Sequence, residues 1–230
     1  MKKYDCPSCG AEMVFHSSLS VYAVCPYCRS TVVRHDVDLE AIGTMATLPD
    51  DMSPLQIGTD GFYRGIRFSL VGRMKIGWKD GCWNEWFMVG DDGRKGWLAE
   101  AQGFYAVSFE IDAALDEAVE QRIRKRVAAF RAGDGKKTPP IARADLGSYL
   151  TLDKQKLKVV DIKDAVCLGS EGELPIAAPR GRRTVSIDLL GPSGEFGCVE
   201  VLNDDIRAYL GRYVDWDALH CQNLRPLEGW

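Results

Sequence analysis

What the sequence withholds narrows its chemistry first. No apolar run approaches the roughly 18 residues that a membrane-spanning helix needs. Met1-Lys2-Lys3 leads into Tyr4-Asp5-Cys6, where a secretory leader would place its apolar stretch. Both absences predict a soluble, cytoplasmic chain. With 3 histidines in 230 residues, no histidine-rich metal centre is present. Neither a glycine-rich phosphate loop nor a serine-centred nucleophile elbow occurs. His220-Cys221 is a neighbour pair whose side chains leave an extended chain on opposite sides, so it does not assemble a thiol nucleophile with its base. Positive charge is not in excess: 29 basic residues against 33 acidic ones give a formal net charge of −4. That balance argues against a chain built chiefly to neutralise phosphates.

Cysteine is concentrated instead of absent. Of 8 cysteines, Cys82, Cys167, Cys198 and Cys221 are scattered singly and read as small buried hydrophobes. The other four form two Cys-Pro-x-Cys pairs, Cys6/Cys9 and Cys25/Cys28. Two residues between cysteines let the chain turn back so that both sulfurs reach one tetrahedral ion. One structural zinc per chain, held by all four thiolates, is the reading the spacing favours; four thiolates also suit an iron cluster. A thioredoxin-type redox site would need a single pair in a βαβ context. Gly10 after the first pair suits the positive backbone angle that closes such a knuckle, whereas Arg29 after the second does not, so the second knuckle is expected to close differently. Met13-Val14-Phe15 and Val21 to Val24 flank Ser17-Ser18 as a predicted hairpin, with Thr31-Val32-Val33 as a third strand.

Beyond this ribbon, residues 1–36, the helical spacing of Leu39, Ile42 and Met45 predicts a short helix and connector over 37–54. Residues 55–111 read as an antiparallel β module: Ile66, Phe68 and Leu70 alternate, as do Met74, Ile76 and Trp78, and Asp91-Asp92-Gly93 marks a hairpin. In 112–145 the period turns helical, with Leu115, Val119, Ile123, Val127 and Phe130 on one face behind an Asp112 cap, followed by a Gly/Pro-rich linker. Residues 146–203 then repeat the first module. Ile57-Gly58 matches Leu146-Gly147, Phe68 and Leu70 match Leu157 and Val159, Glu85 falls on Glu173, Gly93-Arg94-Lys95 on Gly181-Arg182-Arg183, and "GFYAVSFE" on "EFGCVEV". A short helix from Asp204 and an irregular tail complete 204–230. The expected fold is mainly β: an N-terminal zinc ribbon and two related small antiparallel modules, each a roll or partial barrel, joined by a helical connector.

Several residues qualify as partner-binding candidates. Trp83 and Trp86 leave their strand on opposite faces, so one of them must be covered by something other than its own sheet. Glu85 and Glu173, equivalent in the repeat alignment, could act as a carboxylate pair in a hydrolase only if the fold brings them together. Arg122, Lys125 and Arg126 belong to a basic helix face suited to an acidic partner or to peripheral membrane contact. Nucleic acid is the less favoured partner, since residues 1–36 carry a net charge near neutrality.

Together, "CPSCGAE…CPYC", "WNEWFMVGDDGRKGWLAE" and "EGELP" resemble bacterial proteins that carry the domain of unknown function 4178 behind a zinc ribbon. The resemblance brings no established chemistry. The association of such genes with envelope-stress and polyamine-enzyme genes implies a role beside protein partners, and the lack of a catalytic constellation in the sequence makes a non-enzymatic adaptor the expected function.

Overall fold

The computed structural model describes residues 2–35, 38–48, 51–111, 117–132, 146–202 and 205–226. In chain order the elements are β1 (Lys2–Asp5), β2 (Glu12–Phe15), β3 (Tyr22–Val24), β4 (Ser30–Arg34), β5 (Leu39–Thr44), β6 (Asp60–Tyr63), β7 (Ile66–Trp78), β8 (Gly81–Gly90), β9 (Lys95–Ala101), β10 (Phe104–Glu110), α1 (Glu117–Ala132), β11 (Tyr149–Leu152), β12 (Gln155–Leu174), β13 (Arg183–Leu190), β14 (Glu195–Val201) and β15 (Ile206–Val214), with a 3₁₀ turn at Trp216–Leu219. The chain is mainly β with antiparallel pairing, as expected.

Two compact units share it: residues 1–105, 166–182 and 214–230 form the first, and residues 106–165 and 183–213 the second. In the first, β3 is flanked by β4 and by the end of β12, while β7 lies between β12 and β8, and β8 between β7 and β9. The second is built around an apolar core of Leu152, Leu157, Val159, Val185, Ile187, Leu189, Val199 and Val201, on which α1 packs Ile123 and Val127. Those two positions are the ones the helical period assigns to its inner face. Asp112, Leu115, the 133–145 linker and Asp204 lie outside the described residues.

The repeat is present in the backbone. β6 joins β7 through Arg64 (φ 52°) and Gly65 (φ 78°), and β11 joins β12 through Asp153 (φ 42°) and Lys154 (φ 64°), two-residue turns with both angles positive that follow the right-handed twist of the strands. Before each short strand the same clasp occurs: Gly58 N–H donates to Leu70 C=O and Gly147 N–H to Val159 C=O, both at 2.8 Å. Then β8, β9 and β10 succeed β7 in the strand order as β13, β14 and β15 succeed β12. The turn within each meander is also the same, with Gly90 N–H to Arg94 C=O and Gly191 N–H to Glu195 C=O at 2.8 Å, and with Gly93 and Gly194 both at φ 82°.

Four sequence expectations require correction. Leu39–Thr44 is a strand, because pairing along β4 supplies every second backbone partner that a single helical turn would have to supply alone. Ile206–Val214 is likewise a strand, held along β14, and not a helix. The ribbon is two hairpins and not one: β1 pairs β2 across the first Cys-Pro-x-Cys turn, and β3 pairs β4 across the second. Finally, the repeat alignment slips in its second half. β12 has 20 residues where β7 has 13, so Glu85 on β8 corresponds to Ser186 on β13 and not to Glu173, and "EFGCVEV" is the counterpart of β9 and not of β10.

Candidate metal centre and buried polar cluster

Each cysteine pair occupies the tip of its own hairpin, and the two tips close alike. Cys6 N–H donates to Ala11 C=O and Gly10 N–H to Cys6 C=O, both at 2.8 Å; Cys25 N–H donates to Ser30 C=O at 2.8 Å and Arg29 N–H to Cys25 C=O at 3.0 Å. Arg29 therefore takes the positive angle (φ 64°) that Gly10 takes (φ 74°), against the expectation that the second knuckle closes differently. Its side chain offsets the steric cost. The guanidinium donates to the carbonyls of Met45 (3.5 Å) and Ala46 (3.0 Å), and the Arg29 carbonyl accepts the Met45 N–H at 2.8 Å.

The sulfurs of Cys6 and Cys28 stand 3.6 Å apart, those of Cys9 and Cys25 3.9 Å apart, and all four lie within 4.8 Å of one another. Four thiolates at about 2.3 Å from a tetrahedral ion are separated by about 3.8 Å, so the set fits one ion and fills its coordination shell. Hydrogen bonding with the Ser30 side chain and backbone holds the Cys28 thiol below its ordinary value, while burial raises that of Cys25. Cys6 and Cys25 are buried among Met13, Phe15, Ala23 and Val32.

Glu173 fastens this ribbon to β12. It is 4% exposed, lies opposite Ala23 in the β3 ladder, and accepts the backbone N–H groups of His16 (2.7 Å) and Ser17 (3.1 Å), with His16 Nδ1 also at 2.7 Å. Glu85 is placed elsewhere: it neighbours Met74, which neighbours Ser170 of β12, and its Oε1 accepts the Trp83 indole N–H at 2.8 Å. The two glutamates do not form a facing pair. Trp86 is buried and Trp83 half-buried, in keeping with their opposite faces. Lys125 is exposed; the side chains of Arg122 and Arg126 lie outside the described set.

A second polar site was not read from the sequence. Between Leu70 and Gly72 the β7–β8 ladder shifts by one residue, which turns Arg73 and Lys75 onto the face that carries Leu70, Met88, Trp86 and Asn84. There Asp51 Oδ2 accepts from Lys75 Nζ (2.9 Å) and Asn84 Nδ2 (3.2 Å) and pairs with Arg73 (3.3 Å). Beneath it, Glu100 Oε2 accepts from the Ser53 hydroxyl (2.7 Å), Asn84 Nδ2 (3.0 Å) and the Trp86 indole (3.0 Å). The Arg73 guanidinium lies 5.1 Å over the Trp86 ring. Desolvation acts to raise the Asp51 carboxyl, but Lys75, Arg73 and Asn84 outweigh it and hold the group below its ordinary value. A single bulge, invisible to strict alternation, puts Arg73 and Lys75 on this face.

Fold and site define a mainly β protein with four clustered thiols that could hold a metal ion. The profile of a family described as a domain of unknown function, DUF4178, matches residues 56–216, and the chain belongs to that family. Neither a curated protein nor a solved structure matches it. Among the described residues no helix is long and apolar enough to cross a membrane.

Two outcomes are expected here. Glu173→Ala leaves the buried Ser17 N–H without its acceptor and should lower stability by about 2–3 kcal/mol in chemical denaturation, with faster amide exchange at His16 and Ser17; unchanged stability and exchange would contradict the clasp. The depressed Asp51 carboxyl contributes stability that is complete above its unfolded-chain value of 3.8 and is lost as pH falls through its lower native value. Asp51→Asn should therefore narrow the stability difference between pH 6 and pH 3 relative to the parent chain, and a difference of the same size would remove Asp51 from the account.

Proposed function

We propose that this chain is a non-enzymatic adaptor in the bacterial cytoplasm, stapled by one structural zinc ion and acting through protein contacts. The four-thiol set carries the metal part of the reading. Its donors are soft thiolates at tetrahedral spacing, and a filled shell has no position for a substrate or a water nucleophile. Zinc suits such a closed site, with iron as the alternative ion.

The surface of the ribbon supports the partner reading. Tyr27, between Cys25 and Cys28 at the tip of the second knuckle, is 73% exposed, and Leu19 and Val21 on the ribbon and Ile42 on the adjoining β5 are exposed too. Nucleic acid is less well served. Arg29 is engaged with the Met45 and Ala46 carbonyls, Arg34 with the Ser17 and Ser18 carbonyls, and Lys3 with Glu12, so three of the ribbon's cations already have acceptors. An aromatic anchor of this kind carries much of an interface's energy. The family resemblance directs the search toward envelope-stress and polyamine-related assemblies.

Affinity purification of the native chain should recover a specific protein together with one zinc per chain by elemental analysis. Rebound in purified form, that partner should lose about 2 kcal/mol of affinity, roughly thirtyfold, on Tyr27→Ala, with metal content and melting temperature unchanged. Iron in place of zinc would overturn the metal assignment, and a purified partner that binds Tyr27→Ala and the parent chain equally would overturn the ribbon as its docking surface.

A further inference from the structure

The repeated fold supplies an internal control for the buried cluster. Asn84 faces Glu100 across the β8–β9 ladder at the position where Val185 faces Val201 across β13–β14, and counting along the strands sets Trp86 against Ile187 and Leu98 against Val199. Val185, Ile187, Val199 and Val201 all belong to the apolar core of their unit. The architecture thus closes with aliphatic side chains at these four positions. The asparagine, indole and glutamate of the first copy answer a demand other than packing, and the β7 bulge adds two cations to the same face.

Arg73, Lys75 and Asn84 are 5%, 6% and 7% exposed. Two neighbouring cations withdrawn this far from water are costly unless an anion meets them. That anion comes from outside the sheet: a single carboxylate, Asp51, takes all three donors on Oδ2, while its Oδ1 faces Arg225 (3.3 Å) and accepts the Ser53 N–H (3.3 Å). Arg73 Nε and Asn84 Oδ1 remain buried without a hydrogen-bond partner. Glu100 holds Asn84 and the Trp86 ring on which Arg73 lies, so two of the three donors are oriented by groups that do not themselves touch Asp51. The arrangement is that of a receptor with a ligand in place.

We propose that Arg73, Lys75 and Asn84 form a carboxylate-binding site, occupied in cis by Asp51, at which a carboxylate from solution binds by exchange. A planar two-oxygen group spans both sets of donors, as Asp51 does; a spherical halide does not. This inference stands independently of the partner reading above.

The test uses the full, metal-loaded chain with Asp51→Ala, and sodium acetate as the probe against sodium chloride and sodium phosphate at equal ionic strength. Melting temperature and the fluorescence of Trp86, which lies under Arg73, are the readouts. Acetate should restore more than half of the melting temperature lost in Asp51→Ala, saturably and beyond the effect of chloride or phosphate, and Arg73→Gln added to Asp51→Ala should abolish the recovery. The parent chain should respond at least about tenfold more weakly, because only molecules whose Asp51 has left offer the site. If Asp51→Ala does not fold, Asp51→Ser vacates the carboxylate position while keeping a polar side chain, and the same titration applies. Equal recovery in acetate and chloride would reduce the effect to charge screening and overturn the site. Recovery by phosphate instead of acetate would overturn its carboxylate specificity, and recovery that survives Arg73→Gln would overturn the assigned donors.

Discussion

The end of β12 is the constraint on which the first unit depends. Within three residues it changes partners, with Gly172 opposite Gly72 of β7, and Glu173 and Leu174 opposite Ala23 and Tyr22 of β3. The change requires close approach of backbones. A Cβ at Gly72 would overlap the Glu173 carbonyl, and one at Gly172 (φ 65°) would overlap the Val71 carbonyl. Two glycines thus allow a single strand to serve both the thiol ribbon and the family domain, and the Glu173 carboxylate seals the joint by taking the amides of the loop that links the two ribbon hairpins. The second ribbon hairpin, β3 and β4, continues the domain's own sheet, while β1 and β2 form a separate two-stranded sheet; the family match begins only at residue 56.

Local chemistry was legible in the sequence, and long-range register was not. The four thiols follow from spacing alone, since two residues between cysteines leave the chain few ways to turn. The inner face of α1 was legible for the same reason: Ile123 and Val127 follow from a helical period of a few residues. Leu39–Thr44 and Ile206–Val214 were misread as helical because a short apolar period is ambiguous until a neighbouring strand supplies its partners. Arg29 was misjudged because what tolerates its positive angle is the pair of carbonyls at Met45 and Ala46, well beyond any turn signature. The polar cluster was hidden by one extra residue. With Leu70 and Met74 both read as inward, Arg73 and Lys75 fall outward; the bulge reverses them.

The two copies show how one strand plan supports different interiors. In the second, aliphatic residues from β12, β13 and β14 meet α1 in an ordinary apolar core. In the first, the corresponding ladder buries an ionic layer roofed by Asp51, Ser53 and Arg225. The segment that brings Asp51 leaves the ribbon at Met45, whose amide is held by Arg29 of the second knuckle. A cysteine turn, an arginine with an unusual backbone angle and a half-buried carboxylate are therefore linked: the turn holds Arg29, Arg29 holds Met45, and Asp51 follows six residues on. Thiol cluster, joint and ionic layer share a single unit.

That shared dependence is tested most directly by amide hydrogen exchange on the full chain before and after treatment with a metal chelator. If the ribbon is part of the sheet, exchange accelerates at Tyr22 to Val24, at His16 and Ser17, and also at residues 170–174 of β12, whose partners the ribbon supplies or braces, while β13 and β14 keep their protection. Acceleration confined to residues 1–35, with β12 protected as before, would show that the ribbon folds as a separate appendage and would contradict the account.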